Sequence, residues 1–247
     1  MFLRMVTHDV RPEESDRFAA AYTGGVLPTL ARTNGCVFAA LLQDVDDTTQ
    51  GLSLTIWHSP AESRTYEESG VYAQLVDVLR PFFKASDEYT LQLSDDLSLE
   101  YTPIVVEPTV ERFDRSIVET EHLSNLRSGL FAVQSVTLSV LEGETANFER
   151  FFAEQILPRF RSSKGFMDLI LLRQEREYHL ISFWDGAVDV GPSSALRTNG
   201  ELLTGIHRML PSFVRGRSAQ RAHRTVSSED LSARVFRCLT AEWFERS

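Results

Sequence analysis

Residues 2–10 (FLRMVTHDV) alternate between apolar and polar side chains, the period of a half-buried strand. Arg11-Pro12-Glu13-Glu14 then opens a helix. Proline loses nothing in a first turn, and the acids sit near the positive end of the helix dipole. The helix is predicted to reach about Arg32, broken or bent near Gly24-Gly25 and Pro28, and Asn34-Gly35 stops it. Cys36–Gln43 is rich in apolar residues and reads as a second strand; DVDDTTQ is the turn to its hairpin partner, Leu52–Trp57. Ser59-Pro60-Ala61-Glu62 is a capping box with proline at the first helical position. A short helix follows, breaks at Ser69-Gly70 and resumes over Val71–Phe83, and a final strand is expected within Glu88–Leu93.

The same order returns from Phe131 onward. At a constant offset of 130, Val6 meets Val136, Phe18 meets Phe148, Leu27-Pro28 meets Leu157-Pro158, Gly35 meets Gly165 and Leu41-Leu42 meets Leu171-Leu172. A shorter turn slips the register by three, so that Trp57 meets Trp184, and it recovers by Gly70/Gly200 and Pro81/Pro211. Matching glycines and prolines weigh most because they fix backbone geometry. The chain is therefore expected to be α+β, with tandem ferredoxin-like (β-α-β-β-α-β) repeats: 1–100, a connection at 101–130 in which VERFDRSIVETEHL contributes a helix, and 131–247. Each unit carries helices on one sheet face only. The two bare faces are expected to bury each other, an intramolecular pseudo-dimer.

Composition narrows the functional classes. With 43% hydrophobic residues in 247, a sizeable core can be buried. No run approaches the roughly 18–20 apolar residues of a membrane helix, and MFLRMVTHDV lacks a signal-peptide core, so the expected compartment is the cytoplasm. A net charge of −10 argues against nucleic acid and anionic membranes as partners. Cys36 and Cys238 occupy non-equivalent places and read as free thiols, and no Cys/His cluster has zinc spacing.

Strand–helix–Gly–strand–turn–strand, ending in Trp-x-Ser and followed by helix-Ser-Gly, resembles the antibiotic biosynthesis monooxygenase (ABM) family of dimeric α+β barrels. Gly35, LTIWHSPAES around Trp57 and YEESGVY (Tyr66–Tyr72) carry the resemblance; in the second copy Gly165, ISFW ending at Trp184 and Thr198-Asn199-Gly200 do so. The resemblance implies an intramolecular barrel. Its range of activities includes cofactor-free oxygenases of phenols, anthrones and quinols, haem-degrading enzymes, isomerases and proteins with no known reaction. The haem-degrading set is a first-strand Asn, then a Trp with a His ten residues later. The matching positions hold Thr7 or His8, Tyr66 and Val76 in one copy, and Thr137 or Leu138, Leu196 and Ile206 in the other. His207 stands one residue beyond, turned by about 100° on a helix. Haem degradation is disfavoured, and neither cofactor nor metal is expected.

A cofactor-free oxygenase needs an apolar cavity, a proton acceptor and polar contacts for the resulting anion. Histidine is the natural base near neutral pH. His8 on the first strand and His58 after Trp57 are the catalytic candidates, with Trp57, Tyr66 and Tyr72 as substrate-binding walls. The second copy offers Trp184, Asn199 and His207. Its leucines at 138, 196 and 202 replace His8, Tyr66 and Tyr72, which favours the first copy. Trp57 and Trp184 also read as packing residues at one strand end. The resulting expectation is a cofactor-independent monooxygenase acting on a small aromatic or quinol-type compound; the alternative is a non-catalytic binding or scaffold protein on the same barrel.

Overall fold

A computed structural model describes residues 2–93, 99–113, 116–119, 131–174, 177–186 and 231–244. The first copy opens with β1 (Phe2–Asp9), α1 (Ser15–Ala21) and α2 (Leu27–Arg32), then β2 (Cys36–Asp44) and β3 (Gln50–Trp57). It continues with α3 (Pro60–Glu68), α4 (Val71–Leu79), the hairpin β4 (Ala85–Leu93) and β5 (Leu99–Val105), and the short strands β6 (Thr109–Phe113) and β7 (Ser116–Glu119). The second copy supplies β8 (Phe131–Ser139), α5 (Thr145–Phe151), α6 (Leu157–Ser162), β9 (Phe166–Gln174), β10 (Glu177–Asp185) and β11 (Leu231–Trp243).

The duplication extends to atomic detail. Trp57 pairs with Phe2 and Cys36, and Trp184 pairs with Ala132 and Phe166, each partner displaced by the same 130 residues. Both hairpins carry a register shift at that end, and in both the indole N–H donates 2.9 Å to the hydroxyl two residues earlier, Thr55 or Ser182. Gly35 and Gly165 have φ of 83° and 79°, and their carbonyls accept from His58 and Asp185. The expected helix break is a π turn at Tyr22–Val26, repeated at Phe152–Ile156. The second turn has no glycine, so the shared prolines 28 and 158, which cannot donate to the carbonyl four residues back, are the common cause.

All nine strands of the main sheet are antiparallel, in the order β6-β1-β3-β2-β11-β8-β10-β9-β7. β11 is shared: its first half pairs with β8 of its own copy and its second half with β2 of the other. β6 and β7 do the same on the opposite side, pairing with β1 and β9. The sheet's two ends thus lie two residues apart in the chain, and the result is a nearly closed barrel of α+β type. Inward side chains from both copies form one core, including Leu3, Met5, Phe38 and Ile56 with Val133, Ile170 and Phe183. Phe113 faces Leu3 and Phe236 faces Val133, so these two phenylalanines are equivalent closing residues.

Two expectations are corrected here. The strand at 88–93 forms, but it pairs with β5 in a separate two-stranded sheet. The barrel's fourth strand comes from 109–119, read above as connection with a helix. There VERF alternates and buries Phe113, so period two prevails over helix propensity. Among the described residues, no helix is long and apolar enough to cross a membrane.

Candidate functional site

Outside the barrel, each copy packs helices onto its sheet, and in the first copy this layer lines a partly open cavity of about 50 Å³. Alternation along β1 sends Phe2, Arg4, Val6 and His8 to this face. Arg4, Val6 and His8 line the cavity with Tyr22 and Val26 from the π turn, Ser53 and Thr55 from β3, and Tyr66, Tyr72, Val76 and Leu79 from α3 and α4.

His8 is 9% exposed, its ring tilted against that of Phe18 at 4.8 Å. Burial pushes its imidazole down to about 4, against an opposing backbone bond to Val6, so the ring is neutral at pH 7. Its position opposite Gly51 is what gives it room. His8 also borders a polar cleft of about 160 Å³ shared with Asp9, Glu107 and Arg234, so it stands between the cavity and a charged outer surface. Tyr22 donates or accepts a 2.7 Å hydrogen bond with Ser53. Burial raises the phenols of Tyr22, Tyr66 and Tyr72, which remain protonated. Tyr66 also borders an outer cleft of about 450 Å³ formed with Arg32, Glu62 and Ser69, and so separates that cleft from the cavity.

The expected site residues divide. His8, Tyr66 and Tyr72 come together on the cavity wall. Trp57 is fully buried behind them, its ring 5.0 Å from Tyr66. His58 is exposed at the end of β3, away from the lining. Trp184 packs in the second copy's core against Phe160 and Phe166. Asn199 and His207 lie outside the described residues. Arg4, Tyr22 and Gly51 were missed, although period two along β1 places Arg4 on the face of His8.

The second copy replaces the polar lining. Arg4, His8, Tyr22 and Ser53 correspond to Gln134, Leu138, Phe152 and Leu180, and Gly51 corresponds to Tyr178. Tyr178 faces Leu138, packs 4.6 Å from Phe148 and donates 2.9 Å to Glu149. A large ring thus fills the space that His8 uses in the first copy. Among the described residues, no group of three or more His, Cys, Asp or Glu is placed to hold a metal.

Residues 1–78 match the sequence model of the family described as antibiotic biosynthesis monooxygenase. No curated protein matches the chain. Among solved structures, a monooxygenase candidate from Fusobacterium nucleatum subsp. nucleatum ATCC 25586 is similar at TM-score 0.61 and 12% identity, over 98% of this chain and 94% of that one. One from Lactobacillus acidophilus NCFM is similar at TM-score 0.61 and 6% identity, over 98% and 96%. A protein described as anthrone oxidase-like is similar at TM-score 0.55 and 9% identity, over 99% and 94%. At these identities the likeness shows the fold, which extends across both copies. The chain is an α+β barrel made of two tandem copies; residues 1–78 match the ABM family model, and the fold of the whole is similar to that of these structures.

Proposed function

We propose that the chain is a cofactor-independent monooxygenase of ABM type, acting on a small aromatic or quinol-type compound in the first-copy cavity. The observation that carries this reading is the neutral, buried His8 on the wall of an aromatic-lined cavity. His8 takes a proton from the substrate; Tyr66 and Tyr72 hold the ring. The substrate anion then supplies the electrons to dioxygen. For a CH₂ oxidised to C=O, one oxygen atom stays on carbon and the other leaves as water with both hydrogens, so substrate and dioxygen balance with no external reductant.

The test is oxygen uptake with a quinol or an anthrone. His8→Ala should lower it by roughly 10²–10⁴-fold, the usual contribution of a positioned base. Tyr72→Phe should lower it less, and His207→Ala should leave it unchanged. Loss confined to His207→Ala would move the site to the second copy. One observation favours a non-catalytic binding or scaffold protein: at about 50 Å³ the cavity is well below the roughly 300 Å³ or more typical of ligand sites, so its walls must shift before a ring fits. No uptake with any such compound would select that reading.

A further inference from the structure

Arg4 is 2% exposed, and its visible partners do not satisfy it. Nε donates 2.8 Å to Oε1 of Glu67 and the Tyr72 hydroxyl lies within hydrogen-bonding reach of the guanidinium, yet Nη2 is buried with no well-aligned acceptor. The guanidinium carbon lies 4.2 Å from the centre of the Tyr72 ring and 5.7 Å from that of Tyr66. Glu67 is not Arg4's alone: Nε of Arg112 donates to both of its oxygens, at 3.0 and 3.1 Å. Two guanidinium groups thus share one carboxylate, Arg112 half exposed to water and Arg4 buried at the cavity wall, so the cluster carries a net positive charge. A buried cation with an unmatched N–H is costly. The fold does not require one there, because the second copy buries Gln134 at the equivalent position of β8.

We propose that Arg4 anchors an oxyanion: the cavity takes a small aromatic as its phenolate, with the oxygen on Nη2 and the ring against Tyr66 and Tyr72. This rests on the reading of the cavity as the substrate site and adds the charge of the ligand. The apolar walls, Val26, Val76 and Leu79 among them, favour an aromatic anion over an inorganic one. The net positive charge favours the anion over the neutral phenol. Arg4 and His8 stand four residues apart on one strand face, about 13 Å between their Cα atoms at strand rise, and both side chains reach the same cavity. On binding, the phenol O–H bond breaks, its proton passes to solvent, and the electron pair stays on the oxygen held by Arg4.

The experiment uses the full chain with para-nitrophenol, whose phenolate absorbs visible light, and with nitrobenzene as its neutral counterpart. Wild type should lower the pH at which bound nitrophenol ionises by about one unit, which equals about tenfold tighter binding of the phenolate than of the phenol. Nitrobenzene should bind more weakly than the phenolate. Arg4→Gln should abolish the shift and Arg4→Lys should keep part of it. Equal wild-type affinity for nitrobenzene and phenolate overturns the proposal, and so does binding of neither; both results need no variant. A full shift in an Arg4→Gln protein with the wild-type circular dichroism spectrum overturns it too. A shift without oxygen uptake removes the oxygenase reading only, and uptake without a shift removes this one only.

Discussion

His8 and Gly51 face each other across β1 and β3, and a methyl group on Gly51 would lie 2.2 Å from Nε2 of His8. Gly51 has an ordinary backbone conformation, so the constraint is one of space. Gly51→Ala should cost about 1–3 kcal/mol, the usual range for overpacking, measured by denaturant unfolding. In a His8→Ala background the same change should cost much less, because the two residues share one volume. Additive costs would show that the imidazole does not occupy that space.

His8 and His179 give stability a definite pH dependence. Burial holds each near 4 in the folded chain, against 6.5 for a free imidazole. Between those values the unfolded chain binds the protons that the folded chain refuses. The contribution is therefore complete above about pH 6.5 and lost as the pH falls toward 4, on the order of 3 kcal/mol for His8. His8→Leu, the residue at position 138 in the second copy, should flatten the thermal midpoint against pH in that window. An unchanged slope would mean that His8 is protonated in the fold like a free imidazole.

The barrel was legible because glycine and proline fix backbone, and their offset survives where side chains diverge: Gly35 and Gly165 share a positive φ, Pro28 and Pro158 a π turn. The closing strands were not legible. Phe113 and Phe236 are equivalent only through pairing with β1 and β8, and their separation of 123 is outside the repeat's offset, so no constant spacing along the sequence links them. In the site, His8, Tyr66 and Tyr72 stood out as chemically able side chains. Arg4 did not, because an arginine on an alternating strand reads as a solvent-facing polar position until the helix layer is seen to cover it. Gly51 acts only through what it leaves empty.

Tyr178 stands in the second copy where the first has Gly51. Its hydroxyl donates to Glu149, and Arg173 pairs with the same carboxylate. Tyr178→Phe removes a hydroxyl that both Glu149 and Arg173 engage in a filled layer and should cost about 1–2 kcal/mol without changing oxygen uptake. A large loss of uptake with little loss of stability would place working chemistry in the second copy.

Phe113 and Phe236 test barrel closure. Each is at most 2% exposed inside the shared core, on the strand that joins one copy to the other, and each faces the equivalent residue of β1 or β8. Phe113 also lies 4.5 Å from the ring of His179, across from β10. Deleting a buried phenylalanine ring costs about 3–5 kcal/mol when its surroundings cannot collapse. The two alanine variants should therefore be similarly and severely destabilised, in a single unfolding transition, since the core they leave belongs to both copies. Val78→Ala, on the exposed face of α4, supplies the reference and should change stability by less than about 0.5 kcal/mol. If Phe236→Ala instead produced two transitions, one copy melting while the other kept its full stability, the halves would hold separate cores and the shared strands would be ornament to them.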